Sequence, residues 1–218
     1  MRASPNSRND AMRLSSGIFR RELVHAAEPT NSCILFIPGL SGDSVRFDPY
    51  IEALNNTGFD VLRFGGWNGM ETIAELRIHD LLVAIEDTVK ILSDRGYTFI
   101  GVVGKSFGGI FALLGRLQGV DRFVLWAPAI GYGASTDTNR SIGSYPQLTD
   151  ITVSAQELAV RAEPTLIIAG TKDEVLPVER AERIVNALSA GELLVVDEGH
   201  PVDRNEQTIT RTIEFFTE

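Results

Sequence analysis

The chain has 218 residues, 44% of them hydrophobic and 22% charged, which is enough apolar material for one large domain with its own core. A formal net charge of −9 at pH 7 speaks against nucleic acid as a partner, because a phosphate-binding face needs an excess of lysine and arginine. The single cysteine, Cys33, excludes an intrachain disulfide and a cysteine-rich zinc site.

Residues 1–16 are polar and carry no apolar stretch, so they predict a flexible segment rather than a secretory leader. No apolar run approaches the roughly 18 residues needed to span a bilayer. A cytoplasmic protein without a membrane partner is the expectation, and the glycosylation patterns at Asn55 and Asn139 are discounted with it. Residues 17–218 read as a single domain. GIFRRELVHA (17–26) predicts an edge strand. CILFIPG (33–39) is a continuous apolar run in which Cys33 is a buried, inert thiol. FDVLRF (59–64) follows, with Trp67 and Asn68 in the loop beyond it.

METIAELRIHDLLVAIEDTVKILSDRG (70–96) sets Ile73, Leu76, Leu81, Ile85, Val89 and Leu92 along one helical stripe, with Gly96 as a stop. FIGVVG (99–104) precedes GKSFGG (104–109), and FGGIFALLGRLQG predicts a helix ending near Gly119. FVLWAP (123–128) ends in Trp126, and residues 130–150 form a polar connection read as an exposed loop rather than a second domain. Ser154-Ala155-Gln156-Glu157 has the form of a capping box. TLIIAG (165–170), a helical VERAERIVNALS (178–189), ELLVVD (192–197) and a helix over about 203–216 complete the chain. Consecutive apolar residues with little alternation suit strands buried on both faces of a parallel sheet. Strands alternating with helices predict a doubly wound, mostly parallel α/β sheet with helices on both faces, whose ligand site lies at the carboxyl ends of the strands.

GKSFGG fits two loops of different chemistry. A phosphate-binding P-loop needs a glycine five residues before Gly104, where the curve of backbone N–H groups begins. Phe99 occupies that position, inside an apolar strand, so the reading fails. A strand-to-helix elbow presenting Ser106 needs small residues two positions to either side, and Gly104 and Gly108 supply them. Gly109 lets the helix approach its neighbour closely. Lys105 then fills the elbow's variable position as an exposed side chain, with a catalytic contribution, or a charge over the site that favours anionic substrates, as the alternative.

A serine hydroxyl needs a base to take its proton, and the base needs a third group to orient it. Of three histidines, His25 and His79 precede the serine and suit structural or solvated roles, whereas His200 directly follows the last strand. Asp173 stands just beyond the strand 165–170; Glu174 beside it and Asp197, close to His200 in sequence, are its rivals. Two backbone N–H donors are needed for a developing oxyanion. Phe107, next to the serine, supplies one, and the loop FIPGLSGDS supplies the other from Leu40 or, as second choice, Ser41. Ser41, Trp67, Asn68 and Trp126, at the carboxyl side of the sheet, are candidate pocket residues, although packing is the commoner role for such tryptophans.

The constellation resembles the α/β-hydrolase superfamily: IPGLSGD is similar to its oxyanion loop, GKSFGG to its nucleophile elbow, GTKDEVLP to its acid loop and DEGHP to its histidine loop. The resemblance covers about residues 33–216. Pro38 stands where the family's oxyanion loop usually has histidine, and the chain lacks the large helical cap of many relatives. The resemblance implies a compact, capless serine hydrolase acting on a small ester or thioester through an acyl-enzyme on Ser106, with no cofactor or metal. Acyl transfer or perhydrolysis by the same triad, or a non-catalytic binding protein on the same fold, are the alternatives.

Overall fold

The computed structural model describes residues 19–42, 45–67, 78–115, 117–129, 131–132 and 152–218. The segment 1–16, Asn68, the part of the predicted helical stripe that holds Ile73 and Leu76, and most of the connection 130–150 lie outside these described residues.

The strands are β1 (Arg20–Val24), β2 (Ser32–Ile37), β3 (Asp60–Gly65), β4 (Phe99–Lys105), β5 (Arg122–Trp126), β6 (Gly131–Tyr132), β7 (Thr152–Val153), β8 (Thr165–Gly170) and β9 (Gly191–Val196). Seven of them form one sheet in the order β1-β3-β2-β4-β5-β8-β9. Only β1, the edge strand expected from 17–26, runs antiparallel, against β3. β6 and β7 pair separately. The helices are α1 (Asp48–Asn56), α2 (Ile78–Asp94), α3 (Phe107–Leu114), α4 (Ala155–Ala159), α5 (Val178–Ala187) and α6 (Glu206–Thr217). The fold is a doubly wound, mostly parallel α/β sheet.

Both faces of the sheet are buried, which is why its central strands read as unbroken apolar runs. Along β2, Cys33, Leu35 and Ile37 enter a core shared with Leu81 and Ile85 of α2, Ile110 of α3 and Ile184 of α5. Ile34 and Phe36 enter a second core with Ile51 and Leu54 of α1 and Phe215 and Phe216 of α6. Each fully buried side chain of this kind contributes about 1.5–3 kcal/mol. Cys33 is fully buried at the sheet's centre, and burial pushes its thiol well up from the ordinary value. Among the described residues, no helix is long and apolar enough to cross a membrane.

Two local details depart from expectation, and a third meets it. The helix after the elbow stops at Leu114, short of Gly119, with Gly115 as its extended cap. α1 gave no sequence signal: it is nine residues long with proline in its first turn, and only Ile51 and Leu54 are buried. The capping box at Ser154 forms, its hydroxyl accepting from Glu157 N and its N–H donating to the Glu157 carboxylate.

Candidate active site

β4 ends at Lys105, and the chain turns at once into α3 through Ser106, whose backbone has φ 49° and ψ −110°. A non-glycine residue in such a conformation costs about 1–3 kcal/mol and persists only where its surroundings enforce it. Here Ser106 N donates to Trp126 O at 2.8 Å, and Ser106 O accepts from Gly109 N at 3.0 Å and Ala129 N at 3.1 Å. The flanking glycines are required by close approach: a Cβ on Gly108 would lie 2.2 Å from Ile37 O, and one on Gly104 2.8 Å from the Gly109 Cα. Gly109 in turn packs against Pro128 after β5.

Ser106 Oγ lies 2.7 Å from His200 Nε2, and His200 Nδ1 lies 2.9 Å from Asp173 Oδ2. A carboxylate can only accept, so Nδ1 carries the imidazole proton and Nε2 is left free to accept from the serine hydroxyl. The Asp173 side chain is fully buried. Burial alone would raise its pKa, but hydrogen bonds from His200 and from the backbone N–H groups of Leu176 and Val175 outweigh that and hold it below the usual carboxylate value.

The loops that carry Asp173 and His200 are joined to each other. Lys172 N donates to Glu198 O and Thr171 N to Val196 O, both at 2.9 Å. A Cβ on Gly170 would lie 2.3 Å from Glu198 O, so this junction closes only over glycine. The rivals of Asp173 are turned outward. Glu174 is exposed, and Asp197 pairs with Lys172 and Thr171 on the surface. His25 bonds Asp60 at the amino end of β3, remote from the site, and His79 is exposed.

A cavity of about 320 Å³ opens over Ser106, lined mainly by Leu40, Phe47, Phe107, Ile110 and Val175, with Ser41 also among the lining residues. Gly39 O accepts from Gly42 N at 3.0 Å, closing a tight turn with Leu40 and Ser41 at its centre. Neither Leu40 N nor Phe107 N has an acceptor among the described residues. For Phe107 the reason is its place in the first turn of α3, where N–H groups have no intrahelical partner.

The two tryptophans proposed for the pocket do not line it. Trp126 is fully buried on the α1/α6 face, set there by the alternation of β5; it donates to Thr212 Oγ1 at 3.0 Å and packs on Phe36 and Tyr50. Trp67 is also buried, but its indole N–H donates to Gly39 O at 2.9 Å and its ring meets Phe107 edge-on. It supports the turn from behind.

Lys105 also departs from expectation. It is 3% exposed rather than solvated, with Nζ 2.5 Å from His200 O and 3.4 Å from Asp203 Oδ1. Nothing near Lys105 in the chain signals this, because both partners lie more than ninety residues away. Among the described residues, no group of three or more His, Cys, Asp or Glu side chains could hold a metal ion.

No family model matches the chain, and no curated protein matches it in sequence. Solved structures do resemble it. Est1E from Butyrivibrio proteoclasticus, solved with ferulic acid bound, superposes with a TM-score of 0.75 at 17% identity, over 91% of this chain and 94% of that one. The esterase Pf2001 of Pyrococcus furiosus gives 0.74 at 19% identity, over 91% and 86%. A monoacylglycerol lipase of Paleococcus ferrophilus gives 0.70 at 16%, over 91% and 98%. With this strand order, this elbow and these neighbours, the chain has the α/β-hydrolase fold.

Proposed function

We propose that the protein is a serine hydrolase that cleaves a small ester or thioester through an acyl-enzyme on Ser106. The observation that carries this reading is the unbroken chain of short contacts from Ser106 Oγ through both His200 nitrogens to Asp173 Oδ2. That esterases and a lipase share the fold supports an ester as substrate. The mostly apolar lining of the cavity favours a substrate with an apolar acyl group, with Arg46 and Lys105 as the cationic side chains among the lining residues.

Ser106 Oγ attacks the substrate carbonyl as His200 Nε2 takes the hydroxyl proton. Asp173 holds the Nδ1 proton in place and stabilises the imidazolium that forms. The carbonyl oxygen becomes an oxyanion facing the N–H groups of Leu40 and Phe107. The tetrahedral intermediate collapses, and His200 returns the proton to the departing alcohol or thiol. Water then enters, gives a proton to His200 and attacks the acyl-enzyme; collapse of that second intermediate frees the acid and restores Ser106.

A fluorophosphonate should label the wild type at Ser106 and leave Ser106→Ala unlabelled. Turnover of short p-nitrophenyl esters should fall by about 10⁴–10⁶-fold in the same variant. A folded wild type that neither takes the label nor turns over esters would overturn the proposal.

A further inference from the structure

Ser106 follows β4, whereas His200 follows β9, the edge strand three places away in the sheet. The loop after β9 must therefore cross the ends of β8 and β5 before its imidazole can meet the serine. Asp173 holds the imidazole ring at Nδ1, and the junction with residues 170–172 holds the start of the loop. Neither fixes the crossing end relative to β4.

Lys105 does. Its Nζ donates to the backbone carbonyl of His200 at 2.5 Å, the same oxygen that accepts from Val202 N at 2.9 Å. The ammonium also faces Asp203 in the short 3-10 turn Val202–Arg204, just beyond His200. Asp203 is itself buried and tied down: its carboxylate meets Arg46 at 3.3 Å, and its carbonyl accepts from the Tyr50 hydroxyl. The residue next to the candidate nucleophile thus grips the segment that bears the candidate base, through bonds that take no part in proton transfer.

We propose that Lys105 is a positioning residue that holds the His200 imidazole in register with Ser106 Oγ throughout the reaction. This rests on the hydrolase reading above for its kinetic consequence, though not for the structural one. An unpaired ammonium would not be kept at this depth for packing alone; its two partners are the carbonyl of the base and the carboxylate of the following turn. The charged or titratable groups facing Lys105 are Asp203, Arg46, Asp173 and His200, with Tyr50 behind Asp203. Burial pushes the Lys105 ammonium down to about 8, Arg46 adds to the fall, and Asp203 and Asp173 oppose it. Above that pH the ion pair with Asp203 is lost and the grip loosens.

Lys105→Met removes the grip while leaving Asp203 paired with Arg46. In this variant kcat at pH 7 should fall by about 10- to 100-fold with KM within about twofold of the wild type. The wild type should lose kcat as pH rises through about 8, and the variant should not. The proton on His200 Nδ1, held by Asp173, should give a sharp downfield resonance in the wild type that broadens or disappears in the variant. If Lys105→Met does not fold, Lys105→Gln, too short to reach the carbonyl, serves instead. A variant with wild-type kcat and a sharp resonance would overturn the positioning role. Absence of turnover in the wild type would overturn the hydrolase reading instead, and the resonance alone would then decide the role of Lys105.

Discussion

Both oxygens of Asp173 are occupied, Oδ1 by the backbone N–H groups of Val175 and Leu176 and Oδ2 by the imidazole. The first pair fixes the carboxylate whatever the state of His200, so the side chain acts as a rigid acceptor. An asparagine of the same shape would keep Oδ1 satisfied and turn its NH₂ toward Nδ1, which would then have to accept. The imidazole proton would move to Nε2, where it cannot take the serine proton. Asp173→Asn should therefore lower kcat by about 10³–10⁴-fold while the fold survives. Steady-state kinetics, with circular dichroism as the control, checks this. A loss below tenfold would remove Asp173 from the proposed triad.

At the scale of elements, the turn after β2 depends on an indole. The Gly39 carbonyl and the Leu40 N–H belong to one trans peptide and point in opposite directions. Holding the carbonyl on Trp67 Nε1 therefore aims the Leu40 N–H away from the tryptophan and fixes it without contact. The same ring supports Phe107, whose N–H is the second proposed donor. Trp67→Phe keeps the apolar bulk and deletes the donor. It should lower kcat by about 10-fold, less than outright removal of an oxyanion donor, with KM little changed. Kinetics on a short p-nitrophenyl ester would show it. A proportional rise in KM instead would mark Trp67 as a residue that shapes substrate binding.

For the whole molecule, most of the architecture was legible because a strand buried on both faces must be apolar at every position. β2, β4, β5 and β8 announce themselves in this way, and the glycines of the elbow follow from sterics that any such turn imposes. What was hidden depends on partners distant in sequence. The burial of Lys105 follows from His200 O and Asp203, and Trp67's hydrogen bond follows from a loop 28 residues upstream. The apolar run that ends in Trp126 sets the end of the sheet at which it lies, but that position does not say which face its ring takes. α1 stays hidden in the sequence because a nine-residue helix with two buried positions has too short a stripe to stand out. Central Cys33 offers a readout of the assembled sheet, since no other thiol exists in the chain. Its alkylation should be at least about 10³-fold slower in native than in denaturing buffer, as for a group exposed only by global unfolding. Rapid labelling of a protein still native by circular dichroism would show that β2 opens locally.

The burial of Lys105 would set folding against the proposed turnover at alkaline pH. The group's ordinary value of 10.5 falls to about 8 in the folded chain. Between those values the unfolded chain keeps a proton that the folded chain has released, so this lysine's contribution to folding stability rises with pH across the interval. Its grip on the histidine loop weakens over the same interval. Alkaline loss of activity would then accompany a gain in stability from this site: the proton proposed to position the base is one the folded state holds at a cost.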